Sequence, residues 1–113
     1  MKSWMLKIRT TDKLIFYQLS NGSKMVETRA ATVRYQPIQV GDELVFTCGK
    51  ARLSKKVLKK EHFKSIDVMV KKISFNHIMP SVKSVSEMKK IYFSFPGYEE
   101  KISEFGIFAF YLK

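Results

Sequence analysis

The sequence predicts an α+β domain built around a small β-barrel that is closed or nearly closed. Two observations predict this fold. Segments with strand character outnumber helical ones, and they follow the order strand, helix, two strands, one or two further strands, helix, strand. We therefore expect about five to six strands and two or three short helices. A length of 113 residues fits one domain, so we assign residues 1–113 to a single unit.

The first strand and the first helix are predicted from hydrophobic spacing and end signals. Residues 4–9 alternate apolar and charged side chains, which is typical of a strand with one solvated face. Thr11 or Asp12 is in position to cap a helix over residues 13–20. Gly22 then supplies the left-handed residue that commonly ends a helix.

The middle of the chain is predicted to contain three strands. Residues 25–30 form the first, and residues 43–48 form the second, which opens from a Gly41-Asp42 turn. A loop at residues 34–39 separates these two strands. Residues 66–75 alternate apolar and polar side chains, which predicts a third strand.

Two helices and a final strand are predicted in the C-terminal part. Ser84 and Glu87 have the spacing of a capping box ahead of a helix over residues 85–92. One or two further helical turns are expected over residues 98–104. Residues 107–112 are apolar and aromatic without helical polarity, which predicts a strand buried on both faces.

The charge balance indicates an anionic partner. The chain carries 21 Lys and Arg residues against 10 Asp and Glu, which gives a formal net charge of +11. An excess of this size creates a field that attracts polyanions. Nucleic acid is the commonest such partner, an anionic membrane surface is the second, and a lysine-rich surface that serves only solubility is the remaining alternative.

The sequence lacks several motifs that would indicate a disulfide, a metal site or a catalytic site. Cys48 is the only cysteine, so we expect no intramolecular disulfide and no thiolate metal cluster. His62 and His77 are isolated, and no Gly-rich phosphate loop or Gly-x-Ser-x-Gly elbow occurs. We expect no metal site and no cofactor. Without a signal peptide or an apolar run of bilayer length, we expect a cytoplasmic protein with no membrane partner.

Lys24, Glu27 and Arg29 lie among apolar neighbours around the second predicted strand. Buried charges are costly unless they are paired or functional. Strand parity places Glu27 and Arg29 on one face and Thr28 on the other, with Lys24 at the entrance of the strand. The three could bind a nucleotide, the cations donating to phosphate and Glu27 accepting from a base amino group. They could instead catalyse hydrolysis with Glu27 as general base, or Glu27 and Arg29 could merely satisfy each other.

A second charged feature, the basic segment, runs from Lys50 to Lys60 and contains no acidic residue. Its six basic residues are Lys50, Arg52, Lys55, Lys56, Lys59 and Lys60. This density of positive charge suits a phosphate backbone and would make binding depend steeply on salt concentration. The alternative is a solvated hairpin or loop without a partner.

Two motifs of this chain resemble the ASCH domain, named for activating signal cointegrator homology. They are Gly22-x-Lys24-x-Val26-Glu27-x-Arg29 and Ile38-x-Val40-Gly41-Asp42-x-Leu44-x-Phe46. The opening Trp4-x-Leu6-Lys7-Ile8 and the ending Gly106-Ile107-Phe108-Ala109 are similar too. The resemblance covers nearly the whole chain and is weakest over residues 49–65, where the basic segment looks like an elaboration of this chain.

The resemblance implies a PUA-like fold, which is a small mixed β-barrel with helices packed at its ends. ASCH domains are similar to RNA-binding PUA domains and are expected RNA binders. Their motif Lys, Glu and Arg line a cleft, which here implies Lys24, Glu27 and Arg29 as the residues that bind RNA or a nucleotide.

One bacterial branch of the family looks like amidohydrolases that act on acylated cytidine. That branch has a threonine nucleophile where this chain has Glu27, and a lysine that corresponds to Lys24. The change to glutamate favours binding over catalysis. The alternative is a hydrolase of a modified nucleoside or of RNA that uses Lys24 and Glu27, and a cleft that holds a peptide carboxylate is a third possibility.

Overall fold

The computed structural model describes residues 1–113 and contains five strands and five helices. The strands are β1 Ser3–Lys7, β2 Val26–Ala30, β3 Glu43–Cys48, β4 Ala51–Phe63 and β5 Ile107–Leu112. The helices are α1 Lys13–Asn21, α2 Ile66–Lys72, α3 Phe75–Ile78, α4 Val85–Ser94 and α5 Tyr98–Phe105, and a 3₁₀ turn at Thr10–Asp12 precedes α1. None of these helices combines the length and the apolar character that crossing a bilayer requires.

The five strands form one mixed sheet in the order β1-β3-β4-β5-β2. β1 runs parallel to β3, and the other neighbouring pairs are antiparallel. The sheet curves into a half-barrel whose two edge strands, β1 and β2, do not pair with each other. The predicted α+β fold with a small barrel-like sheet is therefore confirmed, although its five helices exceed the two or three expected.

The basic segment forms most of β4, which lies in the middle of the sheet and pairs with both β3 and β5. This segment is therefore integral to the sheet, and the alternative of a solvated loop without a partner strand is excluded for β4. A two-residue turn at Gly49-Lys50 joins β3 to β4, and Gly49 has a φ of 59°, as such hairpins require. Pairs of adjacent lysines conceal the strand period, and a bulge between Val57 and Lys59 shifts it.

The strand predicted for residues 66–75 is also wrong, because this segment forms α2 and the start of α3. The Ser65 side chain accepts a hydrogen bond from the Val68 amide at 3.2 Å, which caps α2. Ile66, Met69 and Ile73 are buried, and their spacing of three and four residues is that of a helix face. The apolar alternation that predicted a strand includes Val68, which is in fact 44% exposed.

Local signals located the other elements closely. α1 ends at Gly22, whose φ of 84° is left-handed, as predicted. The Ser84 hydroxyl accepts from the Glu87 amide at 3.1 Å, which confirms the predicted start of α4. β3 has the predicted bounds. By contrast, the expected cap of α1 is absent, since Asp12 makes no capping hydrogen bond with its side chain.

Two hydrophobic cores lie on opposite faces of the sheet. One core contains side chains from α2 to α5, and the other fills the half-barrel beneath α1. β5 contributes Ile107 and Ala109 to the first core and Phe108 and Phe110 to the second. The prediction that this last strand is buried on both faces is therefore confirmed.

Gly106, at the junction of α5 and β5, is a point where the fold tolerates no side chain. Its φ of 82° and ψ of −161° are accessible essentially only to glycine. A Cβ atom there would lie 2.5 Å from His62 Nε2 and from the Phe63 carbonyl oxygen. We expect Gly106→Ala to lower the free energy of unfolding by about 3 kcal/mol, measured by urea denaturation.

Gly22→Ala is the matched control for this prediction. Gly22 has a similar φ of 84°, but a Cβ atom there would meet nothing within 4 Å. Only backbone strain is then introduced, and we expect a loss of about 1 kcal/mol. Equal losses for the two variants would show that the close approach to His62 and Phe63 has no energetic consequence.

Candidate functional site

A cleft of about 370 Å³ opens between the two unpaired edges of the half-barrel. The end of β1 and the start of α1 form one side of this cleft, and β2 with α3, α4 and α5 forms the other. Ten of its nineteen lining residues are hydrophobic. The lining residues are Lys7, Ile8, Arg9, Asp12, Leu14, Ile15, Gln18, Lys24, Glu27, Thr28, Arg29, Ile78, Met79, Ser81, Val82, Ile91, Tyr92, Phe95 and Tyr98.

Lys24 lies between α1 and β2 and is only 7% exposed. The turn at Gly22 directs the chain back across the helix, and the Lys24 amide donates to the Gln18 carbonyl at 3.1 Å. The side chain then reaches inward, where Nζ donates to the Ile78 carbonyl oxygen at 2.5 Å. Burial lowers the pKa of the Lys24 amine, and the nearby Glu27 carboxylate opposes this shift only in part.

Glu27 lies between two cations, and both of its carboxylate oxygens are engaged. Oε1 accepts from the Thr28 amide at 2.9 Å and lies 3.5 Å from Lys24 Nζ, while Oε2 accepts from Arg29 Nη2 at 3.3 Å. Burial alone would raise the pKa of this carboxyl. The charges of Lys24 and Arg29 and the hydrogen bonds outweigh burial and hold the pKa below its ordinary value, so Glu27 is ionised.

Arg29 connects this buried group to the surface, since 20% of its side chain is exposed. Its Nη1 donates to the Tyr35 hydroxyl at 3.4 Å, and its guanidinium carbon lies 5.6 Å from the centre of the Tyr35 ring. Burial opposes its charge, but the Glu27 carboxylate and neighbouring phenols raise the pKa of Arg29 further above its usual range. Arg29 is therefore a permanent cation at the cleft.

Lys24, Glu27 and Arg29, the buried trio, carry two positive charges and one negative charge. The net charge of +1 lies where water has little access, and such a charge is costly without a counter-ion. An ammonium has three N–H donors, and Lys24 uses only two on the Ile78 carbonyl and on Glu27. The arrangement therefore has spare positive charge and spare donors for a ligand.

The predicted strand parity is confirmed. Glu27 and Arg29 are paired with Phe110 and Phe108, on the inner face of the half-barrel, while Thr28 lies on the opposite face. There the Thr28 hydroxyl hydrogen-bonds to the Tyr92 hydroxyl. Thr28 nevertheless lines the cleft, because β2 is an edge strand and both of its faces border the opening.

An aromatic wall completes the cleft, and sequence reasoning missed it. Tyr92 from α4 and Tyr98 from α5 are stacked, with ring centres 6.4 Å apart and an angle of 6° between the rings. Phe95 packs edge-on against Tyr98 at 5.4 Å. The Tyr98 hydroxyl accepts from the Ala30 amide at 3.4 Å, which covers a donor of the edge strand. No local sequence signal relates these helices to β2.

The opposite lip of the cleft was missed as well. Lys7 and Arg9, at the end of β1, line the cleft together with Asp12. Arg9 Nε donates to Asp12 Oδ2 at 2.8 Å, so this lip contributes one unpaired cation, Lys7. Both sides of the cleft are thus positively charged.

The basic residues of β4 and its turn do not form one surface. Lys50 lies in the turn, whereas Arg52 and Lys56 are exposed on the outer face of the sheet. Lys55 pairs with Leu44 and so lies on the inner face, because strand side chains alternate.

Lys59 and Lys60 follow the bulge and make specific contacts. Lys59 Nζ lies 3.3 Å from Glu61 Oε1. Lys60 Nζ donates to the Gln36 carbonyl at 2.7 Å and lies 4.4 Å from the centre of the Phe108 ring. None of the six basic residues of the segment lines the cleft, so the structure does not bring them together with the buried trio.

Comparison with known proteins shows what fold this chain shares. The chain is similar to the crystal structure of hypothetical protein PH0355, with a TM-score of 0.85, 27% identity, and coverage of 100% of this chain and 98% of that one. It is also similar to the solution NMR structure of protein PF0455 from Pyrococcus furiosus, with a TM-score of 0.79, 24% identity, and coverage of 98% and 96%. No family model and no curated protein matches the chain. The likeness therefore establishes a fold shared over nearly the whole of each chain.

Proposed function

We propose that this protein binds RNA or a nucleotide, with one nucleotide seated in the cleft. The observation that carries this proposal is the buried trio with its net charge of +1 at the base of a cleft with apolar and aromatic walls. Lys24 and Arg29 donate to phosphate or to acceptor groups of the base. Glu27 holds both cations in place and has little free capacity to accept from a base.

The dimensions and lining of the cleft support a ligand of nucleotide size. A volume of about 370 Å³ lies near the lower end of the roughly 300–1,000 Å³ of small-molecule sites, so it suits one nucleotide rather than a folded nucleic acid. Tyr98 and Phe95 line the cleft with aromatic side chains, which are the kind of side chain that unpaired bases commonly contact.

The overall charge supports the same proposal at longer range. A net charge of +11 attracts a polyanion from a distance, and exposed Arg52 and Lys56 add to this field without lining the cleft. Lys50, Lys55, Lys59 and Lys60, predicted to hold the RNA backbone, lie in the turn or on other parts of β4, so they add charge without forming one continuous backbone-binding surface. Binding is then weakened by salt, because phosphate contacts release counter-ions.

The resemblance to ASCH domains supports the proposal independently of these contacts, since it implies the same three residues. A lone cysteine and a nucleotide ligand fit a protein of the cytoplasm, and we include that location in the proposal.

The experiment is to follow backbone amide signals by NMR while adding the four nucleoside monophosphates and a short single-stranded RNA. We expect the largest shifts at the cleft, around Arg9, Thr28 and Tyr98, with affinity for the RNA falling as salt rises. Shifts confined to the outer face around Arg52 and Lys56 would contradict the proposal, since they would show charge attraction without use of the cleft.

A hydrolase that uses Lys24 and Glu27 is the alternative function, and one observation favours it. Burial lowers the pKa of the Lys24 amine, which is a property of some catalytic lysines. The other contacts favour binding. Glu27 is held ionised by two cations with both oxygens engaged, and the Thr28 hydroxyl is bonded to Tyr92 on the opposite face of the strand.

A further inference from the structure

The loop between β2 and β3 holds a second basic and aromatic cluster just outside the cleft. The Tyr35 ring lies against two guanidinium groups, with the Arg29 carbon 5.6 Å and the Arg34 carbon 5.4 Å from its centre. Arg29 is shared, because it also lines the cleft. The cluster and the cleft are therefore adjacent.

Lys60 of β4 anchors this loop to the sheet. Its Nζ donates to the Gln36 carbonyl at 2.7 Å, and its charge lies 4.4 Å from the centre of the Phe108 ring on the inner face of the sheet. A central strand of the sheet thus anchors the loop that carries Arg34 and Tyr35. A loop anchored in this way is suited to present a surface of fixed shape.

The cations of this cluster have no anionic partner apart from Glu27. Neither Arg34 nor Lys60 makes an ion pair with a carboxylate, and Arg29 pairs only with Glu27, which is already shared with Lys24. Like charges held around one ring repel each other, and an anion placed among them would relieve that repulsion. Arg34 is exposed and Val33 beside it is 77% exposed, so the surface is accessible.

We propose that Arg34 and Tyr35, on the loop that Lys60 anchors, form a subsite for a second nucleotide of a single-stranded RNA whose first nucleotide occupies the cleft. This inference rests on the proposed function of the cleft. The base of the second nucleotide stacks on the Arg34 guanidinium, as bases do on arginine planes, and its phosphate lies between Arg29 and Arg34. Arg29 lies between the two subsites and contributes to both.

The test compares the affinities of UMP and of the dinucleotide pUpU by isothermal titration calorimetry. We expect wild-type protein to bind pUpU about tenfold more tightly than UMP, as stacking of one further base provides. Arg34→Ala should reduce this gain to less than about twofold and leave the affinity for UMP unchanged. Tyr35→Phe should keep the gain, because the ring remains and only the hydroxyl is lost.

Arg52→Ala is the matched control, because it removes one exposed arginine from the outer face of the sheet. A gain that survives in Arg34→Ala, or one that is lost equally in Arg52→Ala, would overturn the second subsite while leaving the cleft proposal standing. Failure of the proposed function itself is distinguishable, since wild-type protein would then not bind UMP, and both proposals would fall.

Discussion

Replacing Glu27 with glutamine should lower the free energy of unfolding by about 3–5 kcal/mol. The substitution preserves size and removes the one negative charge between Lys24 and Arg29. Lys24, which is 7% exposed, would then remain buried without a counter-ion, beside a half-buried Arg29. Removing one partner of a buried ion pair is among the most destabilising single substitutions, because the remaining charge is neither solvated nor paired. Urea denaturation at neutral pH measures this loss.

The pH dependence of the variant identifies the cause of the loss. Burial already lowers the pKa of the Lys24 amine, and without Glu27 that pKa falls further. The unfolded chain then binds more protons than the folded one between the lowered pKa and the ordinary pKa of about 10.4. The stability of Glu27→Gln should therefore rise with pH across this window, as Lys24 loses its proton in the folded protein.

Glu61→Gln is the matched control, because Glu61 also accepts from two lysines. Lys72 Nζ lies at 2.5 Å and Lys59 Nζ at 3.3 Å, but the side chains of these lysines are 54% and 55% exposed. The lysines of such a surface network are solvated without the carboxylate, so we expect a loss of less than about 1 kcal/mol. A loss at Glu27 as small as that at Glu61 would show that the trio is not a buried charge cluster.

Replacing Lys24 with methionine should leave the stability of the protein nearly unchanged but weaken its binding of a nucleotide. The variant keeps the length of the side chain and leaves Glu27 and Arg29 as a neutral pair. Loss of the hydrogen bond to the Ile78 carbonyl is offset by removal of a poorly solvated charge, so the free energy of unfolding should stay within about 1 kcal/mol of wild type. Affinity for UMP should fall at least about tenfold, because a charge-assisted donor to the ligand is lost.

This contrast between an unchanged stability and a weakened affinity is expected of a residue that is retained for ligand binding. A residue kept for stability alone loses stability when it is removed, whereas a residue kept for a ligand often leaves stability unchanged or improved. Urea denaturation of Lys24→Met gives the first quantity. A loss of several kcal/mol would instead make Lys24 a structural residue that ties β2 to α3.

Local chemistry made part of this structure predictable. The cap at Ser84 and the left-handed residue at Gly22 depend on neighbours a few positions away, so sequence spacing locates α4 and α1 closely. Strand parity placed Glu27 and Arg29 correctly on one face for the same reason.

The secondary structure of two segments was not predicted correctly, because one sequence pattern concealed another. In β4, lysines at adjacent positions hide the alternation of Leu53 and Val57, because long lysine stems tolerate partial burial on a strand. In α2, the alternation of apolar residues from Ile66 resembles a strand, although the capping position of Ser65 and burial at Met69 specify a helix. Both segments contain apolar residues that fit either period over a short distance.

Which residues line the cleft depends on contacts between distant parts of the chain, and hydrophobic periodicity in the sequence does not reveal such contacts. Tyr98 reaches the Ala30 amide from a helix nearly seventy positions away in the chain, and Ile78 meets Lys24 across more than fifty. The trio could be proposed from sequence because its residues are close together in the chain, in β2 and just before it. Its aromatic wall and the contacts of its charged groups required the fold.

In the proposed function, the excess positive charge of the buried trio serves a nucleotide ligand. The most direct measurement is the affinity for UMP of folded Lys24→Met protein beside that of Lys90→Met, which removes an exposed lysine of α4 that has no ion pair. We expect at least about tenfold weaker binding for Lys24→Met and no change for Lys90→Met. Equal affinity of the two variants would show that the trio does not contact the nucleotide.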